Sequence, residues 1–214
     1  MKKISEIYAE YKIMPNLQMH MLRVAAVASM ICDNFDEPLP KEEIITLCLL
    51  HDMGNIIKSN FEYFPEFNGP EGKEYWQNVK DEYIKKYGSD EEEAHGKIME
   101  ELGLDKRLIL LAKRIDFGLA CEYCVINDAK MKIVNYADWR VSPYGILSFE
   151  GRMEDGKKRY KLKTQADENE REKLIICSKE IEKQIFAKCK IKPEDINDAT
   201  AEPVISELRK FVVK

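Results

Sequence analysis

The sequence predicts an all-α protein, a helical bundle with additional helices at its C-terminal end. Apolar residues recur at spacings of three and four along most of the chain, which is the period of an amphipathic helix. No segment shows strand-like alternation together with paired turn signals. The chain has 214 residues, of which 44% are hydrophobic, so it can bury a sizeable core.

The charge balance excludes several classes of function. Lys and Arg number 34 against 39 for Asp and Glu, a formal net charge of −5. A mildly acidic chain is not expected to coat long nucleic acids or to bind membranes through a polybasic surface. No apolar run approaches the roughly 20 residues of a membrane helix, and the N-terminal residues lack the apolar stretch of a signal peptide. We therefore expect a cytoplasmic protein without a membrane partner.

The first predicted helix, 16–36, has an apolar stripe that passes beside His20, so this histidine should face inward. Pro38 and Pro40 break the chain before the next helix. That helix is apolar on every side over 44–50, as expected for a helix that packs all round, and Gly54 suits its C-terminal end.

A segment without periodicity, 59–72, follows with two prolines, two glycines and four aromatic residues. Loops of this length are uncommon in compact domains and are often functional. An ordinary connection whose aromatic residues fill the core is an equally acceptable interpretation. The aromatic residues concerned are Phe61, Tyr63, Phe64 and Phe67.

The helices that follow are predicted from period and capping signals. Ser89 begins a capping box, and His95 shares the inward face of the helix behind it. Asp128 can cap a helix that ends before Pro143 and places Asp138 on its apolar side. The predicted ranges between the loop and this last helix are 71–87, 90–102 and 106–115.

Three more helices complete the predicted chain, at 148–161, 167–188 and 200–213. Gly151 and Gly156 weaken the first of them, but we prefer a helix to a hairpin there. We assign 1–145 to a core domain and 146–214 to a C-terminal helical extension packed on the same domain.

The six cysteines lie mostly among apolar residues of predicted helices. In a cytosolic chain of this size they are expected to be reduced core residues rather than disulfides. Cys121 and Cys124 have the C-x-x-C spacing, but the chain offers no second pair with the spacing of a structural zinc site. A redox or zinc role for this pair is therefore not our preferred interpretation.

A small set of polar residues on predicted helices suggests a metal site. The only histidines are His20, His51 and His95, each beside apolar positions. One such histidine alone is usually a satisfied core residue. Together with Asp52, adjacent to His51, and the inward Asp138, they suggest a divalent metal in the bundle core. The donor types suit Mn, Co, Ni, Fe or Zn.

The order His20, His51-Asp52, Asp138 resembles the H…HD…D pattern of the HD-domain superfamily of metal-dependent phosphohydrolases. The resemblance covers about 15–140 and implies an all-α fold with these four residues as metal ligands. Superfamily members with two metals carry several further histidines between the HD pair and the last aspartate. This chain has only His95 there, so one divalent metal is expected.

The resemblance also implies hydrolysis of a phosphate ester by metal-activated water. Asp52 and His95 are the expected catalytic residues, with His95 available to protonate the leaving oxygen; it could instead be a fifth ligand, a phosphate contact or a core histidine. Lys58, Arg23 and Arg140 are candidate phosphate contacts, each with the alternative of a surface charge.

The expected partner is a small phosphorylated substrate, and the candidate is a nucleotide whose base stacks on the aromatic loop. A homodimer is a candidate assembly. Long nucleic acid is not expected. The basic run Lys157-Lys158-Arg159, with Lys161 and Lys163, is better explained as a solvated helix face than as an RNA contact. The alternatives are a non-catalytic HD regulatory module that binds a metal or nucleotide, and a plain helical scaffold.

Overall fold

A computed structural model describes residues 1–159 and 164–214 of the chain. In these residues the regular structure is almost entirely α-helical, which confirms the predicted all-α class. The α-helices are α1 Ile4–Glu10, α2 Pro15–Asn34, α3 Lys41–Leu50, α4 Gly72–Tyr87, α5 Glu91–Glu101, α6 Lys106–Ala112, α7 Ala120–Val125, α8 Ala129–Asp138, α9 Phe149–Arg159, α10 Gln165–Phe186 and α11 Asp198–Leu208. Short 3-10 helices lie at Asn55–Lys58, Pro65–Asn68, Phe117–Leu119 and Pro193–Asp195.

Helix α2 is the centre of the bundle. It packs against α3, α8 and α11, and its middle, from Val24 to Ser29, is buried. Helix α3 is buried on all sides from Ile44 to Leu50, as its largely apolar sequence predicted. The packing of these two helices places His20, near the N-terminal end of α2, beside His51 at the C-terminal end of α3.

Two helices and one small sheet were not predicted. Helices α1 and α7 have only seven and six residues, too short for a clear apolar period. Strand β1, Lys2–Lys3, pairs antiparallel with strand β2, Val212–Val213, with Lys2 opposite Val213. Two-residue strands have no alternation to detect, so this pairing of the chain ends depends on the tertiary fold.

Helix α5 begins one residue later than its capping signal suggested. The N-cap is Asp90, whose Oδ1 accepts a 2.8 Å hydrogen bond from the backbone N–H of Glu93. Ser89 therefore lies outside the helix. Asp128 does cap α8, because its Oδ1 accepts a 3.0 Å hydrogen bond from the N–H of Met131.

The C-terminal third is helical, and α9 confirms the preference for a helix over a hairpin as far as Arg159. The end of that predicted helix, Lys161, and the neighbouring Lys163 lie outside the described residues. Helix α10 packs against α7 and α8, and α11 packs against α2. The division of the chain at 145/146 stays a prediction.

The prediction that all the cysteines are reduced is wrong for two of them. Cys121 on α7 and Cys177 on α10 form a disulfide. The other four cysteines are free thiols, and Cys124 is one of them, so the C-x-x-C pair is not itself bonded. The two bonded residues are 56 positions apart, and only the packing of α7 against α10 brings them together. None of the helices within the described residues has the length and apolar character needed to cross a membrane.

Candidate metal centre

Four side chains predicted as metal ligands come from the ends of three central helices. His20 lies in the second turn of α2, and His51 caps the C-terminal end of α3. Asp52 is the next residue, in the turn that follows, and Asp138 is the last residue of α8. Because α2 packs against both α3 and α8, residues distant in sequence meet at one place.

The distances between these side chains are those of a compact polar cluster. Oδ1 of Asp138 lies 3.1 Å from Nε2 of His20 and 3.4 Å from Nε2 of His51. Oδ2 of Asp52 lies 3.7 Å from Nε2 of each histidine. Ligand atoms of His20, His51 and Asp52 all lie within 4.8 Å of one another, close enough to hold one metal ion.

The surroundings of His51 and Asp52 fix the orientation of both side chains. Nδ1 of His51 lies 2.9 Å from the carbonyl oxygen of Cys48. A hydrogen bond from Nδ1 to that carbonyl directs Nε2 at the cluster, the arrangement usual for a histidine that ligates a metal through its other nitrogen. Nε2 is buried and has no hydrogen-bond partner among the described residues. Asn55 donates a 3.0 Å hydrogen bond to Oδ2 of Asp52. The buried nitrogen and the mixed imidazole–carboxylate donor set both fit a divalent metal.

Electrostatic coupling within the cluster is strong. Burial alone would lower the pKa of His51, but the charge of Asp52 and the contact with Asp138 raise it to about 9. Burial would raise the pKa of Asp138, but its contacts with His20 and His51 hold it well below the usual range of a carboxyl group. A bound cation would replace the positive charge of the protonated His51 imidazole and would stabilise the carboxylates of Asp52 and Asp138.

Gly54 has a role different from the predicted helix end. Helix α3 ends at Leu50, and Gly54 lies in the following turn with an ordinary negative φ of −91°. A Cβ atom at Gly54 would lie 2.7 Å from the carbonyl oxygen of Glu91 and 3.0 Å from the backbone nitrogen of His95. Glycine therefore allows the turn after the HD pair to lie directly against α5.

This close approach brings His95 to the edge of the cluster. His95 is only 5% exposed, and neither ring nitrogen has a hydrogen-bond partner in the described part of the chain. Burial, with a smaller contribution from the charge of His51, lowers the pKa of His95 to about 4. The imidazole is therefore neutral near pH 7, with one N–H to donate and one nitrogen to accept.

The cluster forms part of the wall of an open pocket of about 540 Å³. The pocket is lined by all four candidate ligands and by His95 and Lys58. A second pocket of about 660 Å³ lies beside it and is lined by the aromatic residues of the loop after Lys58. The two pockets share Asn16, Asn55, Lys58, Pro143 and Arg159 as lining residues. A ligand that contacts the cluster can therefore extend into an aromatic environment.

The residues predicted to contact phosphate differ in whether they line the pocket. Lys58 lines both pockets, and its ammonium group lies 2.7 Å from Oε1 of Glu91. Arg23 is not among the lining residues of the pocket around the cluster. Its Nε lies 3.3 Å from Oδ1 of Asp198, the first residue of α11. Arg23 therefore links α2 to α11.

Arg140 does not fit the predicted phosphate contact. It is only 2% exposed and does not line the pocket. Its guanidinium donates to the carbonyl oxygens of Leu147, Pro193 and Ile196 and to the hydroxyl of Tyr136. Arg140 is two residues past Asp138, beyond the end of α8. Its guanidinium faces the C-terminal segment around Pro193 and Ile196 instead of the pocket. Its role is to fasten the C-terminal segments to the core.

Two arginines that were not predicted as site residues line the pocket instead. Arg152 and Arg159 are on α9, two helical turns apart, with Asp155 between them. Their spacing puts all three on one face of a helix, which is the signal that could have identified them. In the sequence Arg159 belongs to a basic run with Lys157 and Lys158, which are exposed. Of these three residues, only Arg159 lines the pocket around the cluster.

Comparison with protein families finds a match in the N-terminal half of the chain. Residues 17–112 match the family model described as HD domain. Over these residues the chain is similar to an HD domain. The match includes His20, His51 and Asp52, while Asp138 and the C-terminal helices lie outside it. The HD domain is generally a domain of metal-dependent phosphohydrolases, and the His–Asp cluster is compatible with that chemistry. No significant match is found among curated proteins, and none among solved structures.

Proposed function

We propose that this HD-domain protein is a metal-dependent phosphohydrolase that cleaves a phosphate ester of a small molecule, with a nucleotide as the expected substrate. The observation that carries the proposal is the meeting of His20, His51, Asp52 and Asp138 in the wall of one open pocket. These four residues would hold one divalent ion. When bound, the ion would polarise a phosphoryl oxygen and lower the pKa of a water molecule.

The chain's own residues would supply orientation and hydrogen bonds. Asp52, held by Asn55 at 3.0 Å, would keep one carboxylate oxygen directed at the ion and could accept a proton from the attacking water. His95 is neutral near pH 7 and would donate its ring N–H to a phosphoryl or leaving-group oxygen. Lys58, which lies at the junction of the two pockets, would contact the phosphate.

A nucleotide is supported by the second pocket. Phe64 and Phe67 lie with ring centroids 5.4 Å apart, and Tyr144 lies 5.5 Å from Phe67. Aromatic side chains of this kind stack on nucleobases without needing a particular base. The cytoplasmic location, the homodimer and the identity of the metal stay predictions.

The function is tested by phosphate release. The purified full-length chain is stripped of metal, reloaded in turn with Mn²⁺, Co²⁺, Ni²⁺, Fe²⁺ or Zn²⁺, and assayed on a generic phosphomonoester and on nucleoside monophosphates. We expect turnover that depends on the metal and falls by at least about 100-fold in Asp52→Ala, as expected when a ligand or catalytic carboxylate is removed.

A matched control is Asp33→Ala, which removes an exposed carboxylate further along α2 and should keep full activity. An Asp52→Ala variant that kept full activity would contradict the phosphohydrolase assignment. Metal binding by the wild-type chain without any turnover across the panel would instead favour the non-catalytic regulatory module.

A further inference from the structure

Helix α9 lies outside the matched HD domain, yet it contributes to the wall of the pocket. Arg152 and Arg159 both line the pocket that contains the candidate ligands, and Arg159 also lines the aromatic pocket. Their side chains are 22% and 13% exposed. Two largely buried guanidiniums at one pocket need a local explanation, because charged side chains are seldom buried without an acceptor.

Asp155 holds the two arginines next to each other. Its Oδ2 lies 2.6 Å from an Nη of Arg159 and 3.6 Å from an Nη of Arg152. Arg152 is also fixed from the other side, because its Nε donates a 2.9 Å hydrogen bond to the carbonyl oxygen of Val141. A guanidinium has five N–H donors in a rigid plane and can serve several acceptors at once.

The aromatic loop contacts both the C-terminal end of α9 and the segment that precedes the helix. The hydroxyl of Tyr63 donates a 3.2 Å hydrogen bond to the carbonyl oxygen of Arg159. Tyr144, just before α9, donates a 2.7 Å hydrogen bond to Glu66 of the loop and contacts the rings of Phe64 and Phe67. Arg159 therefore lies where the pocket of the candidate ligands adjoins the aromatic pocket, and Arg152 lies in the first of these pockets.

We infer that Arg152 and Arg159 form the phosphate-binding element of this site, supplied by the C-terminal extension, and that the adjoining aromatic pocket takes the ring of the leaving group. This inference rests on the proposed function. It assigns the substrate class as a phosphate monoester whose alcohol carries an aromatic ring, as in a nucleoside 5′-monophosphate. Planar guanidiniums bind phosphate oxygens in pairs, and Arg159, which lines both pockets, marks the phosphate end of such a molecule.

The first test measures binding rather than turnover. Inorganic phosphate is titrated into the Mn²⁺-loaded full-length chain by equilibrium dialysis, for wild type, Arg152→Gln and Arg159→Gln. The matched control is Lys158→Gln, which removes an exposed positive charge from the residue adjacent to Arg159. We expect each arginine variant to bind phosphate about 10- to 100-fold more weakly, as for loss of a charge-assisted hydrogen bond. Lys158→Gln should bind as wild type does, and Mn²⁺ affinity should stay within about twofold in all variants, since neither arginine is a ligand.

A conservative variant distinguishes a loss of phosphate binding from a loss of the fold. Arg159→Lys keeps the charge but not the planar fork, and it should bind phosphate with intermediate affinity while its circular dichroism spectrum matches that of wild type. Phosphate affinities equal to wild type in the folded arginine variants would overturn the inference. A wild-type chain that binds no phosphate in its Mn²⁺-loaded form would overturn it as well.

The second test concerns the ring of the substrate. Phe64→Ala should raise the KM for adenosine 5′-monophosphate about tenfold, the loss expected for one stacking contact, without changing phosphate affinity. Tyr75→Ala, an exposed aromatic residue on α4, is the control. An unchanged KM in Phe64→Ala would overturn the assignment of the aromatic pocket.

The two proposals fail in different ways. A chain that hydrolyses phosphomonoesters, but whose arginine variants bind phosphate normally, would retain the proposed function and lose the inference. A chain that hydrolyses nothing, but binds phosphate through Arg152 and Arg159, would lose the proposed function and retain the phosphate-binding element.

Discussion

Oδ1 of Asp138 lies 3.4 Å from Nε2 of His51, although the two residues belong to different helices. Asp138 and the adjacent Asp52 raise the pKa of His51 to about 9 against the effect of burial. In the metal-free chain at neutral pH, His51 therefore carries a second proton. A metal needs the unprotonated Nε2, so binding must displace that proton.

We predict that divalent metal binding releases one proton from His51 at pH 7.5, and that affinity rises about tenfold per pH unit between pH 6 and 8 from this group alone. Titration calorimetry in two buffers of different ionisation enthalpy measures the proton count. Asp138→Asn should reduce the release, and Asp33→Asn should not. Binding without proton release at pH 7.5 would contradict the described coupling.

The same shift has a defined sign for the stability of the metal-free fold. Since the folded-state pKa of about 9 exceeds the unfolded value of about 6.5, the protonated histidine stabilises the fold fully below about pH 6.5. That contribution is lost as the pH rises through about 9.

Gly54 sets the distance between the HD turn and α5. We predict that Gly54→Ala lowers the free energy of unfolding by about 1–3 kcal/mol, as for overpacking against a fixed neighbour, since the new methyl group would meet backbone atoms of Glu91 and His95. Urea unfolding measures the loss. Metal affinity should fall less than catalytic turnover, because His95 moves more than the ligands. A variant as stable as wild type would show that α5 does not lie this close.

Arg140 is predicted to stabilise the fold rather than bind substrate. Arg140→Gln should cost about 3 kcal/mol of unfolding free energy, because three backbone carbonyls lose a buried donor. Phosphate affinity should not change. The control is Arg107→Gln, which removes an exposed partner of Glu43 and should leave the free energy of unfolding close to that of wild type. A large loss of phosphate affinity in a folded Arg140→Gln chain would restore the role predicted from sequence.

The disulfide between Cys121 and Cys177 joins α7 to α10. We predict that Cys121→Ser lowers the free energy of unfolding by about 2–4 kcal/mol, chiefly because the unfolded chain is no longer constrained. Cys124→Ser, which replaces a free cysteine on the same helix, is the control and should change little. Dithiothreitol should lower the Tm of wild type and leave that of Cys121→Ser unchanged. Equal Tm values with and without reductant would show that the bond does not form in solution.

The parts of the fold that follow from local pattern were predictable from sequence. The long apolar stripe of α2 and the largely apolar α3 specify buried helices. His51 and Asp52 directly follow the last residue of α3 in the sequence. Asp138 was predicted to face inward from the period of α8 alone. Local period therefore placed His20 and Asp138 on the sides of α2 and α8 that face each other, with Nε2 of His20 3.1 Å from Oδ1 of Asp138.

Features that depend on tertiary packing were not predictable in the same way. The sequence beside Arg140 does not indicate that Pro193 and Ile196 accept its hydrogen bonds. Sequence alone predicted Gly54 to end a helix. Its actual role depends on the close approach of Glu91 and His95, which belong to another segment of the chain. The pairing of Cys121 with Cys177 likewise depends on how α7 and α10 pack.

The most direct test of the central claim is an anomalous difference map from crystals of the full-length chain grown with Mn²⁺. We predict one strong peak at the meeting point of His20, His51, Asp52 and Asp138, and its loss in crystals of His51→Ala. No peak at this position at saturating Mn²⁺, or a peak elsewhere with the four side chains in contact only with one another, would contradict the metal centre and the function built on it.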